Sequence, residues 1–484
     1  MSLAQLRESP VFPLLARHLA GPVVYVGVDP HYGLGPEQWL ADYSMVCRHE
    51  TAVLPMLRDK NIKVFCLQQE IGDGKLPGRA TAGLAHHPLV LEFLQAQARR
   101  GPLSILLFKP SAQIDELCAQ HGFRVLGAPA RIARPMENKV NFFRLLDGLG
   151  LPHPAWNEVD LREVDYDALS RKFGRHVVIQ GAHGFSGNRT FDVTDGAAFA
   201  IASAALRHRR ARVSQYVEGR PMTLNGCVFS PDLVLTNRLF HQVTGVPECT
   251  VYKLGACGND WMAEPASEAA QQAAAGVAQA LGRELGQRGF RGTFGVDFVV
   301  NGDTVAAIEV NPRLVSSVPM ASDLEVSQGL VPLLLFHCLA TAGCEHELQG
   351  FLQHYESAPR LDGAQMVLHN LTGSAAVVDG VVAAGLHQLE GEALRFVRPA
   401  FHVSECGPDE VLVLPAARGH MLAEAGECAR VQMRRPVLTW TEGAAAGPGS
   451  LTGEAKAVAR AVYAALALRP CTVADGGEGS SDDE

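Results

Sequence analysis

The sequence predicts a multidomain protein that is α/β at its N-terminal end, α+β through its middle and β-rich towards its C-terminal end. Three observations lead there. Apolar strand-like runs alternate with helical runs up to about Arg134, the pattern of a parallel α/β domain. From Pro135 onward the pattern changes to an amphipathic helix, a series of strand-like runs, an Ala-rich helix and a hairpin. Beyond about Glu345, short β runs follow one another between Gly and Pro turns. The chain has 484 residues, enough for about two to four domains.

Composition narrows the function classes. With 47% hydrophobic and 19% charged residues, the chain suits a globular protein with a large core. A net charge of −9 argues against a broad nucleic-acid-binding surface. The eleven cysteines form no CxxC pair and sit beside no histidine cluster. They read as reduced, mostly buried thiols, neither a zinc site nor a disulfide framework. The longest apolar run, "VPLLLFHCLATAG", is too short to span a bilayer. The opening "MSLAQLRESPVF" lacks the apolar core of a signal peptide. Together these predict a cytoplasmic protein with no membrane or nucleic-acid partner.

Each element has its own signal. "GPVVYVGVD" is a buried strand, followed by the loop "PHYGLG" and a helical stretch, "EQWLADYSMVCR". "NIKVFCLQ" is then the second strand. After a polar, Gly-rich break over residues 73–87 come the helix "PLVLEFLQAQARR", a third strand "LSILLF", the helix "SAQIDELCAQHG" and the short strand "FRVLGA". The lone GLG lacks the rest of a dinucleotide fingerprint. "ENKVNFFRLLDGLGLPHP" is an amphipathic helix ended by Gly150, with Pro152 and Pro154 stopping it. The strand "HVVIQ" enters the loop "GAHGFSGNRT", and "FDVT" leaves it. Three glycines there can turn backbone N–H groups onto phosphate oxygens; a plain hairpin tip is the equal alternative.

"RVSQYVEG" and "TLNGCVFS" are strands, and "LVLTNRLFHQV" is a third after a turn at Pro231 and Asp232. On that third strand, Arg238 and Gln242 would face one way. An Ala-rich helix covers about residues 267–287. The hairpin "GTFGVDFVV-NGD-TVAAIEVNPR" follows, around an Asn-Gly turn. "GAQMVLHNLTG", "GVVAAGL", "ALRFVRP", "EVLVLP" and "ARVQMRRPVLTW" make up the β-rich part, and "GEAKAVARAVYAALAL" is a closing helix. The final "DGGEGSSDDE" reads as disordered.

The hairpin carries the chemistry. Glu309, Asn311 and Arg313 occupy alternate positions, so their heads share one face, with Ile308 and Val310 opposite. Asp297 joins them only in one register. A two-residue turn at Asn301 and Gly302 puts it on the far face; a three-residue connection or a bulge brings it to the same face. In that register Asp297, Glu309 and Asn311 offer the hard oxygen ligands that Mg²⁺ prefers. Arg313 lies one step on and can clamp a phosphoryl group or a carboxylate. Singly, Lys139 reads equally as a solvated helix residue and Arg313 as half of a structural ion pair. Together, in this order, they describe a metal–phosphate site.

"ENK" before a helix ending "GLPHP", "VVIQGAHGFSGNRT", "SQYVEG" and "GVDFVV…AIEVNPR" resemble the ATP-grasp superfamily of ligases, over about residues 135–331. The resemblance implies a pre-ATP-grasp α/β domain at 1–134 and a two-subdomain ATP-grasp domain for nucleotide binding and catalysis at 135–345. A β-rich C-terminal domain at 346–470 and a disordered acidic tail at 471–484 would complete the chain. ATP would lie between the subdomains, its adenine against a hinge at residues 214–217, with Gln215, Tyr216 and Val217 as binding residues. Carried over by position, Asp297, Glu309 and Asn311 are metal ligands and Lys139 is a phosphate-binding lysine. Gly184, Ser186 and Gly187 are the glycine-loop contacts, and Arg313 is a catalytic cation. Arg238, from its place on the strand, is a second candidate to stabilise developing charge and reads equally as a surface residue.

Two departures stand out. Gln180, a nucleotide-binding candidate, occupies the place where the family usually has a second lysine; either Arg189, His183 or another cation substitutes, or nucleotide binding is weaker. No acidic residue stands where many relatives grip the ribose, near Met222 and Thr223, which leaves Glu218 as the candidate. The implied chemistry joins a small-molecule carboxylate to an amine, such as amino acids or peptides, through an acyl phosphate. It would use ATP and Mg²⁺, with two ions expected and Mn²⁺ able to substitute, and a homodimer is compatible. Two other readings stay open. One is a biotin-carboxylase-like enzyme, which would need a separate carrier because no "MKM" segment is present. The other is a non-catalytic ATP-binding regulator.

Overall fold

A computed structural model describes residues 11–72, 76–78, 80–184, 187–207, 209–344, 360–441 and 447–471. The first part is a five-stranded, wholly parallel sheet in the order Lys63–Cys66, Tyr43–Cys47, Val23–Val26, Ser104–Leu107, Arg124–Leu126. The order reverses between the adjacent strands Val23–Val26 and Ser104–Leu107. The loops leaving these two strands therefore flank a crevice, the usual ligand position in an open α/β sheet. One expectation fails here. The helix read from "EQWLADYSMVCR" is a single 3₁₀ turn, Pro36–Gln38, followed by a strand, Tyr43–Cys47. That strand lies between two others and is buried throughout. Covered on both faces, it lacks the period-two alternation that marks a half-exposed strand. "NIKVFCLQ" thus supplies the third strand, not the second.

The α+β part begins with an antiparallel sheet of four strands, ordered Trp156–Asp160, Arg210–Gln215, Val177–Gln180, Thr190–Val193. Helices Tyr166–Phe173 and Gly196–Ala205 contribute Leu169, Phe173 and Ala202 to its core. Facing it is an eleven-stranded sheet. The hairpin Gly292–Asn301 and Thr304–Asn311 forms one end, and the sheet runs through Arg220–Ser230, Phe240–Thr244 and Ala256–Asp260. It then passes without interruption into the C-terminal strands, because Ala256–Asp260 pairs with Ala364–His369. The Ala-rich helix Glu268–Gln287, capped by the Ser267 hydroxyl, lays Ala270, Ala274, Ala278 and Leu281 into the core beneath the hairpin.

"LVLTNRLFHQV" is not one strand. It divides into Leu233–Thr236 and Phe240–Thr244. At the break, side chains replace ladder bonds: Asn237 Oδ1 accepts the Asn225 N–H, and Gln271 Oε1 accepts the Leu239 N–H. "GVVAAGL" is strand only at its end, where Gly385–Glu390 begins. "VPLLLFHCLATAG" is the buried helix Leu333–Thr341, packed between the parallel sheet and the large one. Among the described residues, no helix is long and apolar enough to cross a membrane. Ten cysteines are buried and Cys471 is half-buried, all as free thiols. The expectation of a disordered tail falls almost wholly on residues outside those described.

The seam between the middle and C-terminal strands depends on Gly258, whose φ of +149° permits an approach that a side chain would block. A Cβ there would overlap the Gln365 carbonyl oxygen. Gly258→Ala is expected to cost roughly 1–3 kcal/mol, as overpacking of a tight site does. Denaturant unfolding checks this, and an unchanged midpoint would mean that the seam is not under this constraint.

Candidate active site

Between the four-stranded sheet and the large sheet lies a cavity of about 540 Å³. The hairpin forms one wall, and its register decides what that wall presents. Its turn consists of Gly302 and Asp303, with Asn301 paired to Thr304, and pairing is regular as far as Phe298 opposite Ala307. There the register shifts: Asp297 faces Glu309, and Ile308 is the extra residue. Regular pairing would have set Ile308 opposite Asp297 and sent Glu309 to the other face. The bulge turns Asp297, Glu309 and Asn311 together into the cavity. The Ile308 carbonyl, left out of the ladder, accepts Nη1 of Arg212 at 2.9 Å.

Positive charge converges on these oxygens. Lys139, only 5% exposed, places Nζ 2.6 Å from Glu309 Oε2. It opens helix Lys139–Leu149, where Asn138 caps the N–H groups of Val140 and Asn141. Its own backbone N–H donates to the Ala182 carbonyl at 3.0 Å, tying the helix to the base of the glycine loop. Arg313 donates through Nε to Glu137 Oε1 at 2.6 Å and through Nη2 to Asn311 Oδ1 at 2.8 Å. Burial, and then the Glu309 charge, raise the Asp297 carboxyl to about 7. Burial also opposes ionisation of Glu309, but Lys139, Arg212 and Arg313 outweigh it and hold that carboxyl below its ordinary value. One carboxylate is thus kept charged while its neighbour holds a proton readily.

The hinge residues Gln215, Tyr216 and Val217 line the cavity. Tyr216 stacks on His176 with ring centres 3.7 Å apart. Glu218, the ribose candidate, does not line it: the residue is exposed, and its carbonyl accepts from Asn301 Nδ2. Gly184 and Gly187 do line it. Gly187 has φ +84°, and a Cβ on it would lie 2.6 Å from Gly255 Cα, so glycine lets the loop meet the opposite backbone. Ser186 lies outside the described residues. Gln180 lines the cavity, with Nε2 donating to Thr190 Oγ1 at 3.0 Å and Oε1 buried without a partner. Neither Arg189 nor His183, the expected substitutes for the missing lysine, is among the lining residues.

Arg238 is not brought to the site. It falls in the break between the two strands, pairs with Glu268 at 3.4 Å and faces a separate cavity beside Trp261 and Gln271. The break cancels the alternation with Gln242, which does reach the site. Sequence reasoning missed Arg212. It lies opposite Gln180 in the ladder and two residues before Ser214, on the face already expected to carry the hinge, and that spacing was the available signal. It also missed the far end of the cavity. There Tyr32 and Phe108 leave the two strands at the crevice of the parallel sheet and stack 3.9 Å apart. Arg430 lies 4.4 Å over Tyr32, Arg313 lies 5.2 Å over Phe108, and Glu427 pairs with Arg430.

Residues 136–317 match the family model described as the ATP-grasp domain. Solved structures share the fold over most of the chain. One is the biotin carboxylase domain of Hydrogenobacter thermophilus 2-oxoglutarate carboxylase, crystallised with MgADP, ADP and bicarbonate (TM-score 0.56, 10% identity, 86% of each chain). A second is Aspergillus clavatus carboxyaminoimidazole ribonucleotide synthase with ATP (TM-score 0.52, 15% identity, 86% of this chain and 94% of that one). A third is Campylobacter jejuni biotin carboxylase in a β-γ-ATP complex (TM-score 0.53, 13% identity, 86% and 87%). At these identities the likeness is one of fold. No curated protein matches the chain by sequence.

The raised Asp297 carboxyl has a testable consequence in chelator-treated protein. Its folded value lies above its unfolded one, so the stability it contributes is complete below about pH 4. That stability is lost as pH climbs through about 7. Glu309→Gln removes the repelling charge, and the Asp297 midpoint, followed by its carboxyl carbon-13 shift, is expected to fall. An unchanged midpoint would contradict the coupling of the two groups.

Proposed function

We propose that this chain, with its ATP-grasp domain at residues 136–317, is an ADP-forming carboxylate–amine ligase. The observation that carries the reading is the bulged hairpin. It gathers Asp297, Glu309 and Asn311 in a cavity that also holds Lys139, Arg212 and Arg313 and is walled by the hinge and the glycine loop. The donor set is oxygen only, which fits a hard divalent cation. Magnesium held there would neutralise phosphate charge and orient the γ-phosphoryl group for in-line transfer.

The chain's own residues do the positioning. Residues 215–217 receive the adenine edge, and Gly184 and Gly187 let loop N–H groups approach phosphate oxygens. Lys139 keeps Glu309 ionised, so that carboxylate meets an incoming cation already charged. Arg313, fixed by Glu137 and Asn311, presents its guanidinium to the anionic reactants. In the reaction, a substrate carboxylate oxygen takes the γ-phosphoryl group and ADP leaves. An amine nitrogen then adds to the acyl carbon, phosphate departs with that oxygen, and the nitrogen releases a proton. Amino acids or peptides are the proposed substrate class, since Arg430, Glu427 and the Tyr32–Phe108 stack set both charge signs beside an apolar surface at the far end.

Phosphate release tests this, with amino acids and dipeptides supplied in pairs under saturating Mg²⁺. Release should require both a carboxylate and an amine. Glu309→Gln and Asn311→Ala should each lower it by roughly 100-fold or more, as loss of transition-state charge stabilisation does, while thermal unfolding stays near the parent's. Near-parental turnover in either variant would sink the metal assignment. Release that needs bicarbonate and no amine would instead favour a carboxylase. ATP binding with no turnover would favour a regulator.

A further inference from the structure

The cations of the cavity are unequally matched by carboxylates. Lys139 has Glu309 at 2.6 Å, Arg313 has Glu137 at 2.6 Å, and Arg430 has Glu427 at 2.5 Å. Arg212 differs. Among the described residues no carboxylate forms an ion pair with it, and its Nε–H has no hydrogen-bond partner. Yet the residue is only 2% exposed. A desolvated charge without a counter-ion is costly and calls for a ligand. What holds Arg212 is partial: Nη1 donates to the Ile308 carbonyl, the guanidinium lies 3.9 Å over the Phe143 ring, and Glu309, whose charge acts on it, is already engaged by Lys139. Burial draws the Arg212 guanidinium down to about 9 against the pull of Glu309, the mark of an under-compensated cation.

Its position gives the chemistry of the missing partner. Arg212 lines the cavity from strand Arg210–Gln215, directly opposite Gln180 and on the same face as Ser214. We propose that Arg212 is an anion-binding residue of this cavity, taking phosphate oxygens of the bound nucleotide and supplying from its strand the charge that Gln180 does not supply from the neighbouring one. The assignment rests on the ATP-dependent reading above. With Nη1 committed to Ile308, the edge formed by Nε and Nη2 matches two oxygens of one phosphoryl group, which a guanidinium grips as a fork. Arg189 is not among the residues lining the cavity and does not compete for the role.

Calorimetric titration of the full chain with Mg–ATP, and with adenosine as the uncharged control, tests the assignment. Arg212→Gln is expected to weaken ATP binding by about tenfold or more and leave adenosine unchanged. Arg212→Lys should retain part of the affinity. Adding Gln180→Lys to Arg212→Gln should recover most of it, because the cation returns to the facing position. A parent that binds no nucleotide overturns the ligase reading and this assignment with it. A parent that binds ATP no better than Arg212→Gln does overturns the assignment alone. So does a loss that neither lysine variant repairs, since that would make Arg212 a prop for the bulge. If Arg212→Gln does not fold, Arg212→Lys decides: weaker ATP with unchanged adenosine supports the assignment, and equal weakening of both overturns it.

Discussion

Side chains alternate across a strand, so the face that Glu309 presents is set by the number of residues between it and the hairpin turn. Ile308 adds one residue to that count, and the face taken by every side chain beyond it depends on the addition. Glu309, Asn311 and Arg313 all turn to the side where Asp297 stands. The bulge leaves the carbonyl of half-buried Ile308 outside the ladder, and Arg212 donates to it. Bulge and buried arginine therefore support each other: one places the carboxylates, and the other brings a cation beside them.

Two carboxyl groups facing each other inside a protein repel, and the surroundings settle how the pair is charged. Lys139 keeps Glu309 ionised, while Asp297 gains a proton readily. Around them the basic groups are distributed by strand and helix: Lys139 at a helix start, Arg212 on the hinge strand, Arg313 just past the hairpin. Such a site suits a polyanion that arrives with a divalent cation, because each brings the charge the other wall lacks. The parallel sheet adds the remaining side. Tyr32 and Phe108 emerge at its crevice, where open α/β sheets present ligands, and meet Arg430 from a C-terminal strand of the large sheet. Continuous strand pairing through Gly258 joins that strand to the bulged hairpin.

Much of this was legible in the sequence, and the failures share a cause. The hairpin, its alternating polar face and the two possible registers follow from spacing alone. Which register holds does not, because the bulge is stabilised by Arg212, 96 residues away in sequence. Tyr43–Cys47 departs from the helix expected there because an interior parallel strand has no exposed face to reveal its period. Arg238 falls where Asn237 and Gln271 interrupt the expected strand by capturing backbone N–H groups, a tertiary event with no local signature. Glu218 followed the hinge in sequence but points to solvent. Arg212 has a local signal in its alternation with Ser214, but its contact with the Ile308 carbonyl is tertiary and has none.

On the function proposed above, the bulged hairpin holds a divalent cation whose site is completed by nucleotide. Electron paramagnetic resonance of Mn²⁺, titrated into the protein with and without ADP, tests it most directly. A protein-bound Mn²⁺ signal that requires nucleotide and disappears in Glu309→Gln is expected. Equal Mn²⁺ binding by parent and variant would contradict it.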